Sequence, residues 1–191
     1  MEQVNPHLFV LAGTSGTGKT ALLDALRARG FLTHPEVTRV VLQEQVAQNG
    51  DALPSKSPAL FVAEMLRRSI DNHAASVGHP GPVFFDRGVP DLVAYAQRFD
   101  VDPDPYRQAA EAYRYNTACF LLSPWRAIYT KDQWRGGEFE FYEAFHHGLM
   151  QAYQAHGYRF VEVPRVSVDQ RADFVIAQVR RLGLAVEAGP C

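Results

Sequence analysis

The 191-residue sequence predicts one α/β domain of three layers, with helices on both faces of a five-stranded parallel sheet. Two observations lead to this fold class. Short, continuously apolar runs recur along the chain, as strands covered on both faces require. Longer segments with apolar residues at three- and four-residue steps separate these runs. This alternation of strand and helix is typical of parallel sheets with right-handed crossovers.

Four apolar runs are the main strand candidates: LFVLA (8–12), PVFFD (82–86), ACFLL (118–122) and YRFVEV (158–163). A weaker fifth candidate is FLTH (31–34). Helical periodicity covers seven segments: 20–29, 35–48, 59–77, 90–99, 105–115, 138–156 and a last helix that begins at 167. Gly30 is placed to end the first helix, and the S-V-D-Q stretch at 167–170 fits a capping box.

The composition excludes several classes of protein. Hydrophobic residues make up 47% and charged residues 21%, as in ordinary globular proteins. The net charge is −2 and no basic run occurs, so no nucleic-acid partner is expected. We expect no membrane association and a cytoplasmic location, because the sequence has no signal-peptide pattern and no apolar stretch of about 20 residues.

The stretch GTSGTGKT, residues 13–20, matches the phosphate-binding pattern G-x-x-x-x-G-K-[ST] at every fixed position. It joins the first predicted strand to the first predicted helix, which is the context that this P-loop requires. Its glycines let backbone N–H groups face a phosphate, and the helix dipole adds attraction. The predicted nucleotide-binding residues are Gly13, Thr14, Ser15, Gly16, Thr17, Gly18, Lys19 and Thr20. Lys19 is also a predicted catalytic residue, and the Thr20 hydroxyl is expected to bind Mg²⁺.

The third predicted strand ends in VFFDRGVPD, which places Asp86 where P-loop proteins hold a carboxylate near magnesium. Motor ATPases usually carry a glutamate directly after this aspartate to polarise water, whereas this chain has Arg87. The D-R pair therefore favours phosphoryl transfer over hydrolysis. Asp86 is predicted to bind Mg²⁺ and to act in catalysis, and Arg87 to hold substrate or phosphate. Asp91 has two interpretations, a structural one in the first turn of the next helix and one toward the acceptor.

Glu36 and Arg39 are the other predicted substrate-binding residues. They are three positions apart, hence on one helical face, and they follow the second predicted strand. Ligands of open α/β sheets lie beyond the carboxyl ends of the strands. Glu36 would accept a hydrogen bond from a sugar hydroxyl, with Arg39 orienting it or the substrate. A simple surface ion pair is the alternative.

The tract PWRAIYTKDQWRGG, residues 124–137, follows the fourth predicted strand and is predicted to form a lid. Arg126 and Arg135 are the predicted catalytic residues of this lid, and Lys131 is a weaker candidate. Closing over the transferring phosphoryl group would exclude water and neutralise developing charge. A solvated loop with ordinary surface charges is the alternative.

Several stretches together resemble a bacterial family of small AAA-type P-loop domains that includes the ribosylnicotinamide kinase domain of bifunctional NAD regulators. They are GTSGTGKT, PEVTRVV, FFDRGVPDLVAY, FLLSPWRAIYTKDQWR and YRFVEVPRVSVDQRADFV. The resemblance extends from about Leu8 to Leu182. It implies a nucleoside- or nucleotide-kinase-like fold with a helical lid, and kinship with kinases in part of the family.

The sequence therefore predicts a single P-loop NTPase domain over residues 1–191. The favoured function is a Mg²⁺–ATP-dependent kinase that phosphorylates a hydroxyl of a small molecule, with a nucleoside among the candidate acceptors. ATP is the expected donor because no N-K-x-D stretch for guanine is present. Asp86 or Glu36 would take the acceptor proton. An ATPase or nucleotide switch that acts on a protein partner, and a binding module with negligible turnover, are the alternatives.

Overall fold

The computed structural model of the protein describes residues 5–129 and 138–185. Within these ranges five strands form one sheet: β1 (Leu8–Ala12), β2 (Leu32–His34), β3 (Val83–Asp86), β4 (Ala118–Leu121) and β5 (Arg159–Glu162). Their order is β2-β3-β1-β4-β5, and all four pairings are parallel. The predicted fold class is confirmed, and each strand lies within its predicted segment.

Seven α-helices connect or follow the strands in the described part of the chain. They are α1 (Lys19–Ala28), α2 (Val37–Ala47), α3 (Pro58–Ser76), α4 (Asp91–Arg98), α5 (Asp104–Ala112), α6 (Phe139–Ala155) and α7 (Val168–Arg181). Gly30 adopts a left-handed conformation beyond the end of α1, as predicted. Ser167 and Gln170 form the predicted capping box at the start of α7. None of the helices in ranges 5–129 and 138–185 is long and apolar enough to span a bilayer.

The strand β1 shows how the three layers arise. Its residues alternate between two buried clusters, so that Val10 packs on one face of the sheet and Phe9 on the other. The cluster with Phe9 is covered by α1 and α7, and the cluster with Val10 by α5 and α6. Both faces of the central strand are therefore dry, which explains its continuous apolar sequence.

The topology brings three polar segments to one edge of the sheet. The loop that begins at Gly13 follows β1, Glu36 follows β2, and Asp86 ends β3. Because β2, β3 and β1 are parallel neighbours, their carboxyl ends meet. Segments that are far apart in sequence thus form one site.

Candidate functional site

The loop of residues 13–18 has positive φ angles at three positions, a conformation that glycine adopts readily. Gly13, Gly16 and Gly18 have φ values of 141°, 83° and 85°. At Gly13 a β-carbon would also lie 2.4 Å from the Leu122 carbonyl oxygen. The loop delivers the chain into α1, whose first-turn N–H groups face the loop and attract anions.

Lys19 lies at the start of α1 with its side chain buried. Its ammonium donates a hydrogen bond to the Thr14 carbonyl at 2.8 Å and lies 3.8 Å from the Asp86 carboxylate. Burial lowers the pKa of Lys19, and the positive charge of Arg87 lowers it further, while Asp86 and Glu36 oppose both effects. The structure thus places the Lys19 ammonium between the loop and the carboxylate of β3, and its contact with phosphate stays a prediction.

Asp86 is 3% exposed, and its Oδ1 atom has no hydrogen-bond partner among the described residues. Burial raises the pKa of Asp86 to about 6, against the lowering effect of Lys19. A buried carboxylate oxygen without a donor, beside a phosphate-binding loop, fits a hard cation such as Mg²⁺. Thr20, in the first turn of α1, lines the cavity beside this loop. The two predicted metal-binding residues therefore have donor atoms of the required kind.

A cavity of about 140 Å³ opens beside the loop. It is lined by loop residues, namely Ser15, Gly16 and the stretch Gly18 to Thr20, and by Glu36, Arg39 and Ile128 from other segments. The structure thus brings the predicted substrate-binding pair Glu36 and Arg39 against the phosphate-binding loop. An acidic and a basic residue therefore line the cavity next to the loop.

Arg87 is held on several sides. Its guanidinium donates to Glu36 at 2.8 Å, to the Gly13 carbonyl at 2.9 Å, to Asp91 at 3.3 Å and to the Ser15 hydroxyl at 3.4 Å. Burial alone would raise the pKa of Glu36, but the charges of Arg87 and Lys19 outweigh this effect and lower it to about 2. Glu36 is therefore ionised at neutral pH.

Asp91 is completely enclosed behind Arg87. Its carboxylate accepts hydrogen bonds from Arg87, from the Gly88 backbone N–H at 2.9 Å, and from the Tyr153 hydroxyl. Of the two interpretations given above, the structure favours the structural one, because Asp91 is 1% exposed and all these contacts are internal.

Neither of the two arginines predicted for the lid is observed in the lining of the cavity within the described chain. Arg126 lies in a 3₁₀ turn (Arg126–Ile128), where its exposed guanidinium pairs with Glu140 and lies 4.4 Å from the Phe139 ring. The lining of the cavity, within the described chain, includes Ile128 of the same turn but not Arg126. Arg135 and Lys131 lie outside the described residues. The catalytic roles of Arg126 and Arg135 stay predictions.

Arg171 is a site residue that sequence reasoning missed. It is 5% exposed on the first turns of α7, and its guanidinium lies 3.5 Å from the Thr17 carbonyl and faces the Trp125 ring at 5.7 Å. A β-carbon at Gly18 would be only 2.6 Å from it. The capping box predicted the helix, but no local pattern indicates that Arg171 packs against the phosphate-binding loop.

The fold is similar to those of several solved proteins. The NadR protein in complex with NR matches with a TM-score of 0.71 and 21% identity, over 96% of this chain and 54% of NadR. NadR in complex with NAD and AMP-PNP matches at 0.68 and 19%, over 94% and 50%. The YorR protein of Bacillus subtilis, in complex with phosphorylated GDP, matches at 0.57 and 14%, over 91% and 95%. The chain spans about half the length of NadR.

No curated protein sequence matches this chain. A family profile described as an AAA domain matches residues 8–171, from the first strand to the arginine that packs against Gly18. This match includes the phosphate-binding loop, the end of β3 and the lid tract. The chain therefore belongs to this AAA domain family of P-loop proteins.

Proposed function

We propose that this protein is a Mg²⁺–ATP-dependent kinase that transfers a phosphoryl group to a hydroxyl of a small molecule. The observation that carries the proposal is the ring of charged groups around the loop. Lys19, Asp86, Glu36 and Arg39 converge on the loop, and Arg87 occupies the position after Asp86. The side chain that follows the β3 aspartate is thus a cation engaged with the loop rather than a carboxylate that polarises water.

The donor side of the proposed reaction follows from the loop. Its backbone and Lys19 would bind the β- and γ-phosphates of ATP, and Thr20 and Asp86 would hold Mg²⁺. When bound there, Mg²⁺ would supply positive charge to offset the negative charge that develops on the phosphate during transfer. The buried Asp86 oxygen supports this assignment, since it lacks a hydrogen-bond donor among the residues described.

The acceptor side is supported by a second cavity of about 300 Å³, which lies between α2 and α3. Its lining includes Pro35 and Val37, the sequence neighbours of Glu36, and the polar side chains of Arg68 and Asn72. A space of about 10 Å³, room for about one water molecule, shares Pro35 and Asn72 with this cavity and is also lined by Asp86. The volume of the larger cavity and its charged and polar lining suit a polar acceptor of nucleoside size.

We assign Glu36 to the acceptor hydroxyl and Asp86 to the metal. The low pKa of Glu36, about 2, keeps it a hydrogen-bond acceptor that orients the hydroxyl toward the phosphorus. Phosphoryl transfer has a loose transition state, so positioning matters more than a strong base. Arg39 lies on the same cavity wall, where its charge would stabilise the transferring group.

The fold neighbours support a nucleoside-like acceptor. NadR is described in complex with NR, and also with NAD and AMP-PNP. The identity of 21% and the coverage of half of NadR leave the acceptor of this chain as a proposal.

The proposal is tested by ADP release from Mg²⁺–ATP across a panel of nucleosides, sugars and antibiotics. We expect a rate that depends on one class of acceptor and falls at least 100-fold in Asp86→Asn and Glu36→Gln. Asp102→Asn, at an exposed position before α5, is the matched control and should leave the rate unchanged. An equal rate without any acceptor would instead support the ATPase alternative, and tight ATP binding without ADP release would support a binding module.

A further inference from the structure

Arg87 has more internal partners than a substrate-binding side chain needs. Four hydrogen bonds from its guanidinium go to Glu36, Gly13, Asp91 and Ser15, and its side chain is only 6% exposed. Two of these partners belong to the phosphate-binding loop. The planar, forked shape of the guanidinium suits this use, since one rigid group can reach the loop and a carboxylate together.

The backbone of Arg87 is what aims the side chain at the loop. Its φ is +73°, a left-handed conformation that side-chain-bearing residues seldom adopt. The Arg87 N–H still donates to the Leu11 carbonyl at 3.1 Å, so the residue continues the β1–β3 pairing while the chain turns away. Such backbone is retained where surrounding contacts determine it.

Those surrounding contacts come from Asp91 and Tyr153. Asp91, the first residue of α4 and four positions after Arg87, accepts from its guanidinium, while the Tyr153 hydroxyl of α6 donates to the other Asp91 oxygen. Gly88 makes this approach possible, because a β-carbon there would lie 3.2 Å from the Tyr153 hydroxyl and 3.0 Å from Val10. Each residue of the D-R-G sequence thus has a separate part. Asp86 supplies a carboxylate, Arg87 contacts the loop, and Gly88 leaves room for the Tyr153 hydroxyl to approach.

We propose that Arg87 is a positioning residue for the phosphate-binding loop, held in place by Asp91 and Tyr153, rather than a group that binds the acceptor. Its guanidinium fixes the Gly13 carbonyl and the Ser15 side chain, and so sets the loop shape in which N–H groups face the phosphates. It also fixes Glu36 at the wall of the same cavity. The inference rests on the proposed nucleotide binding by this loop.

The test is a titration of each purified variant with ADP and Mg²⁺, in the absence of any acceptor. Arg87→Lys keeps the charge but loses the fork, and we expect its Kd for ADP to rise at least tenfold. Tyr153→Phe removes one oxygen from a buried residue outside the lining of the cavity beside the loop, and should raise the Kd for ADP about threefold. In the double variant the Tyr153 change should add nothing, because it acts through Arg87.

Arg114→Lys is the matched control. Arg114 is also buried, at 6% exposure, but it precedes β4 at the opposite end of the sheet and lies over the Tyr158 ring. Its loss should lower the melting temperature without changing the Kd for ADP, which separates general destabilisation from loop positioning. If Arg87→Lys does not fold, Tyr153→Phe carries the test.

The possible failures are distinct. Wild-type protein that does not bind ADP overturns the proposed function. A different result would overturn only the positioning role and leave the proposed function standing. In that result the wild-type protein binds ADP, and folded Arg87→Lys or Tyr153→Phe has a Kd for ADP within twofold of the wild-type value. An acceptor-bound complex in which Arg87 has left Gly13 for the acceptor would also overturn it.

Discussion

Gly13 gives a quantitative check on the structure of the phosphate-binding loop. In Gly13→Ala, the new β-carbon would lie 2.4 Å from the Leu122 carbonyl oxygen, so the two must separate by about 0.6 Å to reach 3.0 Å. The Leu122 N–H donates to the Ala12 carbonyl at 2.8 Å beside this point, and the separation would strain that bond. The backbone φ of 141° adds strain for any residue with a side chain. Overpacking and backbone strain each cost about 1–3 kcal/mol, so the expected destabilisation is about 2–6 kcal/mol.

Urea unfolding followed by circular dichroism measures this loss as a lower midpoint at constant slope. Gly148→Ala is the matched control, because a β-carbon there meets no described atom within 4 Å beyond its own helix. Its position inside α6 predicts stabilisation by about 0.5–1 kcal/mol, since alanine favours helix more than glycine does. A Gly13→Ala protein within about 0.5 kcal/mol of wild type would refute the reasoning about the loop.

Three further predictions concern α7, α6 and the second half of the loop. Ser167→Ala removes the side-chain acceptor of the α7 capping box and should lower the free energy of unfolding by about 1 kcal/mol, measured by urea titration; an unchanged midpoint would contradict it. Burial lowers the pKa of His146 to about 4, and His147 contributes in the same direction. The unfolded chain therefore binds more protons than the folded chain between pH 4 and 6.5. As the pH falls through that range, His146 should lower the free energy of unfolding by up to about 3 kcal/mol. In unfolding curves measured at several pH values, His146→Gln should remove that part of the loss. Gly18→Ala should displace Arg171, whose Nη1 would lie 2.6 Å from the new β-carbon, and weaken ADP binding in a fluorescence titration; full affinity would show that Arg171 moves at no cost.

Much of the fold could be predicted from local patterns. Continuous apolar runs identified strands, and three- and four-residue periodicity identified helices, because burial on both faces or on one stripe leaves a signature in consecutive residues. The phosphate-binding loop was equally visible, since its glycines are required by backbone conformation and its lysine and threonine by phosphate and metal chemistry. Gly13, Gly16 and Gly18 all have the positive φ values that this explanation requires.

The contacts that individual side chains make could not be predicted from local patterns. The D-R sequence predicted functional roles for Asp86 and Arg87, but the direction of the Arg87 side chain depends on its left-handed backbone and on Tyr153 in a distant helix. Arg171 packs against Gly18 only because α7 crosses the sheet beside α1. The same limit applies to Arg126, whose pairing with Glu140 depends on how α6 begins.

The sequence by itself determined the chemistry that this protein carries: a P-loop, a β3 carboxylate followed by arginine, and a small α/β domain to present them. These features are local, because each depends on the conformation or burial of neighbouring residues. The tertiary structure decided which charged groups contact each other, and hence the pKa of each buried carboxylate. It leaves Asp86 with a pKa near 6 and lowers that of Glu36 to about 2, because only packing determines which buried carboxylate lies beside the guanidinium of Arg87.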